Sequence, residues 1–194
     1  MAGAWPCPAG EHLGSAHILI RRAIEHATKV PPAAVRFVSP SRVRARRARG
    51  SDLTDTRTLR EILTWIPSPN RLRPQLAVVL VDEDGVADRG RKLRDATSDP
   101  DLLPHVVAVA VREFESWLLA DSAAVAAVAG QPLPSRQAVE DMEPGAAKVA
   151  LTRVLGAERS RLARREIAAR SDLALLAQLR SFGTFLHDMA AALE

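Results

Sequence analysis

Two short apolar runs, Leu76–Val81 and Val106–Val111, constrain this chain more than anything else in it. Both are rich in valine and too short for a buried helix. Continuous rather than alternating apolar character predicts strands buried on both faces, as in a parallel sheet covered by helices. Val86–Ala96 reads as a helix between them, followed by Pro100 and Pro104. Before the first run, Leu59, Ile62, Leu63 and Ile66 sit at helical spacing, with capping chemistry at Asp52 to Asp55 and a stop at Pro67. Helix and strand alternate twice, which predicts an α/β unit.

The remaining pattern is mostly helical. Residues 1–10, with Pro6, Pro8 and Gly10, carry no periodicity and read as an irregular lead-in. Ser15 starts a helix reaching Thr28, with Leu19, Ala23 and Ala27 on its buried face. Ala34–Val38 is a short β-leaning run, and the arginine-rich stretch Arg42–Gly50 reads as loop or ragged helix start. Beyond the second strand, helices are expected over Ser116–Ala120, over Ser122–Ala129 between Asp121 and Gly130, and near 136–142, 145–155, 158–169 and 172–192. The expected organisation is an α/β domain over residues 1–130 with a helical C-terminal extension over 131–194, packed as one compact unit.

Composition excludes whole classes. With 194 residues and 47% hydrophobic content the chain can bury a core, and disorder is excluded. One cysteine, Cys7, excludes a disulfide scaffold and suits a reducing cytoplasm. No apolar stretch is long enough to span a membrane, and no signal-peptide pattern opens the chain. The net charge of +4 hides a division: residues 21 to 60 hold eleven Lys and Arg against three acids, a net +8, which leaves −4 for the rest.

The sharpest chemical signal is Val81-Asp82-Glu83-Asp84-Gly85, at the carboxyl end of a buried strand. Strand alternation puts Asp82 and Asp84 on one side, where open α/β sheets bind ligands. Two adjacent carboxylates suit a magnesium ion that keeps waters for a phosphate, and equally suit a solvated strand exit. The second strand also ends in acids, Glu113 and Glu115, and parallel order brings at least Glu113 to the same edge. A helix-dipole role accounts for Glu115 as well as catalysis does. Arg42, Arg44, Arg46, Arg47 and Arg49 suit phosphate backbones or a plain solvated surface, and no aromatic interleaves with them. The sequence contains no P-loop, no dinucleotide fingerprint, no nucleophile elbow and no zinc-spaced histidine pair.

Four stretches carry a family resemblance: Leu-Ala-Val-Val-Leu-Val-Asp-Glu-Asp-Gly (76–85), Val-Arg-Glu-Phe-Glu-Ser-Trp-Leu-Leu-Ala-Asp (111–121), Glu-Pro-Gly-Ala-Ala-Lys (143–148) and Arg-Ser-Phe-Gly-Thr-Phe-Leu-His-Asp-Met (180–189). Together they resemble the bacterial family called domain of unknown function 4276, over most of the chain from about residue 76. The resemblance implies a toprim-like (Rossmann-like) parallel sheet flanked by helices, the metal-binding domain type of topoisomerases, primases and OLD-type nucleases. It further implies a gene beside an ATPase, in phage-defence or DNA-processing operons. Toprim sites pair a glutamate after the first strand with a D-x-D after a later one, which here fall on Glu11 and on Asp82 and Asp84. Lys148 matches a lysine common in the family.

These readings predict a Mg2+- (or Mn2+-) dependent nuclease. Asp82, Asp84 and Glu113 would hold the ion, Glu11 would activate or position the nucleophile, and the arginines with Lys148 would hold nucleic acid, DNA ahead of RNA. The alternative is a non-catalytic toprim-like module that binds nucleic acid or a partner protein. A third reading has the C-terminal helices dock another chain, leaving Phe182, Phe185 and Leu186 partly exposed.

Overall fold

A computed structural model describes residues 14–28, 42–43, 46–47, 53–64, 75–131, 133, 139–156 and 160–193. In chain order the elements are α1 (Ser15–Thr28), β1 (Arg42–Val43), β2 (Arg46–Arg47), α2 (Thr56–Leu63), β3 (Ala77–Asp82), α3 (Arg89–Ala96) and β4 (His105–Ala110). There follow α4 (Glu115–Ala120), α5 (Ser122–Ala129), a 3-10 turn (Val139–Asp141), α6 (Ala146–Leu155), α7 (Ser160–Arg170), α8 (Leu173–Leu176) and α9 (Arg180–Leu193). The chain is therefore mixed α/β and mostly helical.

The two apolar runs pair as parallel strands, in a register that runs from Ala77 opposite His105 to Asp82 opposite Ala110. Among the described residues this sheet has two strands. Its faces separate by alternation, as predicted. Val79 and Val81 join Leu59, Leu63, Leu93, Leu102 and Val107 in a small core under α2 and α3. Val106, Ala108 and Ala110, with Val78 and Leu80 beside them, face the larger core built from α1, α4, α7 and α9. Both faces are thus covered by helices, which is what removes the polar alternation from the strand sequence. The larger core takes residues from both sides of position 130, so the C-terminal helices pack directly on the sheet.

Helix boundaries follow local chemistry in most places. Asp55 caps α2 by accepting from the Thr58 N–H at 2.7 Å, Asp121 caps α5 from Ala124 at 2.9 Å, and Gly130 ends α5 in the left-handed conformation. Leu19 and Ala23 of α1 are buried as expected, while Ala27 is only partly so. Four expectations need correction. Helix α2 stops at Leu63, with the Thr64 N–H on the Arg60 carbonyl, before Ile66 and Pro67 are reached. Of the segment near 136–142, the described residues show only the 3-10 turn. Arg42 and Val43 pair antiparallel with Arg47 and Arg46, where a loop or helix start was expected. The single helix over 172–192 is two helices, α8 and α9, separated at 177–179.

That break has a long-range cause. The Glu140 carboxylate accepts from the backbone N–H groups of Arg180 and Ser181, each at 2.9 Å, and so caps α9 from forty residues away in sequence. Close packing reinforces it, since a Cβ at Gly183 would lie 2.7 Å from the Ala177 carbonyl oxygen. Trp117, on α4, anchors the same region. Its Nε1–H donates to Ser181 Oγ at 2.8 Å, and its ring meets Phe182 edge-on at 5.0 Å and stacks near Phe185 at 5.8 Å. Phe182 and Phe185 are fully buried in this cluster, which removes them from any docking surface. The expected strand at Ala34–Val38, and Trp5 and Trp65, lie outside the described residues.

Candidate functional site

The carboxyl edge of the β3–β4 pair is built by two abrupt chain reversals. After β3, Asp84 (φ +48°) and Gly85 (φ +74°) turn the chain, and Val86 N–H closes the turn on the Glu83 carbonyl at 2.9 Å. Positive φ at both central positions is the type I′ pattern that Asp-Gly favours. After β4, Arg112 has φ +64°, and Glu113 N–H reaches back to the Val111 carbonyl at 2.8 Å. This is a γ-turn of the rare positive-φ kind. The two reversals lie side by side, for Glu83 N–H donates to Ala110 at 2.9 Å and Asp84 N–H donates to Arg112 at 3.3 Å. Asp84 and Arg112 are the only non-glycine positions with positive φ among the described residues.

Asp82 sits half-buried at the centre of this edge. Its Oδ1 accepts from the Phe114 N–H at 2.8 Å, which ties the end of β3 to the start of α4. Burial raises its carboxyl above the ordinary 3.8; the Phe114 hydrogen bond opposes this, and the negative charges of Asp84, Glu115 and Glu113 reinforce it. Three further carboxylates are therefore close enough to be felt at one half-buried aspartate. A bound cation would relieve that repulsion.

The chain's own groups already engage most of them. Arg89, at the start of α3, donates from Nη1 to Asp84 Oδ2 at 2.8 Å and also to the Asp82 carbonyl. Glu113 is buried, and its Oε1 accepts from the Lys148 backbone N–H at 2.6 Å. It thereby caps α6, whose first turn follows Gly145 at φ +81°. Glu115 pairs with Arg164 of α7 in a largely buried contact. Asp121 accepts from Ala124 and, at 2.8 Å, from Asp172 N–H, so it holds α5 and the start of α8 together.

The predicted site residues therefore separate. Asp82 and Asp84 meet at one edge, and Glu113 stands on the adjoining turn with one oxygen committed to α6. Among the described residues no three acidic, histidine or cysteine side chains gather as a ready metal cage. Lys148 contributes its backbone N–H to Glu113, and its side chain is exposed. Arg42, Arg46 and Arg47 lie on the β1–β2 pair, whereas Glu11, Arg44 and Arg49 lie outside the described residues. Sequence reasoning missed Arg89, whose signal was its place one turn after Asp-Gly, and Arg112, whose backbone conformation no local pattern announces.

All four resembling stretches meet here or beside it, the first carrying Asp82 and Asp84. Glu113 of the second caps the third through Lys148, and Trp117 of the second packs into the fourth. A cleft lined by Arg94, Thr97, Asp99, His105 and Asp188 opens at the other end of the sheet, away from the carboxylates. No family model matches the chain, and no curated protein or solved structure is detectably similar to it.

Proposed function

We propose that the carboxyl edge of β3 and β4 binds a divalent cation, Mg2+ or Mn2+, and acts on phosphodiesters of nucleic acid within a toprim-like domain. One observation carries the reading. A half-buried aspartate at the end of a parallel strand stands within electrostatic reach of three further carboxylates, in the place where open α/β sheets bind ligands. Asp82 and Asp84 fit a hard cation, because both are carboxylates and only one oxygen of Asp82 is held by a backbone N–H. Glu113 is an outer member whose orientation Lys148 N–H fixes. When bound, the ion supplies Lewis-acid polarisation of a phosphoryl oxygen.

The chain's own residues do the rest. Arg89 holds Asp84 and the β3 terminus in place, and the Phe114 N–H holds Asp82. Glu11 is the proposed group that positions or deprotonates the nucleophile. The basic segment containing Arg42, Arg44, Arg46, Arg47 and Arg49, with Lys148, holds the nucleic-acid backbone, DNA ahead of RNA. The family resemblance adds a separately encoded ATPase as partner, in phage defence or DNA processing.

Incubation of purified chain with plasmid DNA tests this. Nicking that needs Mg2+ or Mn2+ and disappears in Asp82→Ala is expected; full activity in that variant overturns it. The second reading, a non-catalytic module binding nucleic acid or a partner protein, draws on the engagement of Asp84 by Arg89 and of Glu113 by Lys148. It expects salt-sensitive DNA binding without turnover, indifferent to chelators and lost when Arg44, Arg46 and Arg47 are replaced.

A further inference from the structure

Arg112 occupies a backbone position that any side chain but glycine's strains, at φ +64° inside a γ-turn. Its backbone makes two contacts: its N–H faces Glu83 Oε2 at 3.4 Å, and its carbonyl accepts from Asp84 N–H at 3.3 Å. The side chain adds nothing visible to this clamp. Its Nε is buried and has no hydrogen-bond partner among the described residues, and the guanidinium makes no ion pair with them. That is unusual at an edge so rich in carboxylates. Asp84 has already been taken by Arg89 and Glu115 by Arg164, while Asp82 and Glu113 accept from backbone N–H groups.

A strained residue on the turn that adjoins Glu83 and Asp84, with its buried Nε unpartnered, calls for an acceptor from outside. We propose that Arg112 grips a phosphate oxygen of the substrate at this edge. A guanidinium suits that task because its planar donors match a phosphate bidentately. The inference rests on the reading of this edge as a phosphodiester site. It adds the residue that would hold the anion while Asp82 and Asp84 hold the cation. The phosphate group is the shared chemistry of free phosphate and of a nucleic-acid backbone.

The test uses the full chain as wild type, Arg112→Gly and Arg112→Lys. Inorganic phosphate and a ten-residue oligodeoxythymidylate are titrated by calorimetry, first in EDTA and then with Mn2+. Wild type binds in EDTA, Arg112→Gly weakens binding at least about tenfold, and Arg112→Lys recovers part of it. Loss for the oligomer alone assigns the grip to the nucleic-acid backbone; loss for both assigns it to a phosphate from either source. Because glycine relieves the positive φ, the melting temperature of Arg112→Gly stays at or above that of wild type. Equal affinity in Arg112→Gly, no binding by wild type, or a clear fall in melting temperature overturns the proposal. The Mn2+ arm separates the two readings. If Mn2+ changes nothing while the glycine variant still loses phosphate, the cation site fails and Arg112 stands. If Mn2+ binds through Asp82 while glycine binds phosphate like wild type, Arg112 fails and the cation site stands.

Discussion

Asp82 is where desolvation, like charge and one backbone hydrogen bond compete. Desolvation leads, so its proton is held more tightly in the folded chain than in the unfolded one. Over the interval above 3.8 the native state then binds more protons, and stability falls as pH rises through that interval and stays lowered beyond it. Asp82→Asn removes the buried charge and keeps an oxygen for the Phe114 N–H. The variant should therefore melt above wild type at pH 7, with the two converging as pH falls toward 3.8. Melting curves across pH check this, and a gap that is constant or reversed contradicts it. Asp82 and Asp84 could be found from sequence because strand alternation and the Asp-Gly turn are local. Arg112 could not, since its strain comes from a γ-turn that only the paired neighbouring strand reveals.

At the scale of elements, carboxylates from distant segments set the helix starts. Glu113 caps α6 through Lys148, and Glu140 caps α9 through Arg180 and Ser181. Glu113→Ala should cost about 1–3 kcal/mol, because it orphans a helix N–H and deletes a charged acceptor. Glu113→Gln should cost less. Urea midpoints of the two variants, at unchanged slope, decide the point. Gly183→Ala should destabilise by a similar ~1–3 kcal/mol, because the added methyl meets the Ala177 carbonyl oxygen at 2.7 Å. Equal midpoints for wild type and this variant would show that the α8–α9 junction yields freely. These long-range caps explain the limits of sequence reading. Strands β3 and β4 and helices α1, α5 and α6 follow from periodicity and local signals. The break between α8 and α9 does not, because apolar residues recur every third position across it, from Leu173 through Leu176, Leu179 and Phe182 to Phe185, and its cap lies at Glu140.

At the scale of the whole molecule, the charge division becomes a spatial question. The basic segment is joined to the fold by α2, whose Leu59 and Leu63 enter the small core beneath β3. The acidic strand ends lie on the same sheet. A nucleic-acid backbone bound by such a segment should release counterions, so affinity should fall steeply between low and physiological salt. Replacing Arg44, Arg46 and Arg47 with alanine should reduce the slope of log K against log salt by about 2–3. Filter binding at several salt concentrations measures it, and an unchanged slope removes this segment from the interface. The mixed α/β class and the parallel pairing of β3 with β4 were legible because burial on both faces leaves a continuous apolar run. The flanking layers were legible only in part, since helices α4 to α9 meet through tertiary contacts such as Trp117 with Phe182.

The central claim is that the β3–β4 edge holds a divalent cation through Asp82. Calorimetric titration of the full chain with Mn2+, wild type against Asp82→Asn, addresses it without assuming a substrate. The account predicts saturable binding by wild type that is lost in Asp82→Asn, while the variant keeps its cooperative melting transition. Matching heats for the two proteins, or no binding by wild type, would contradict it.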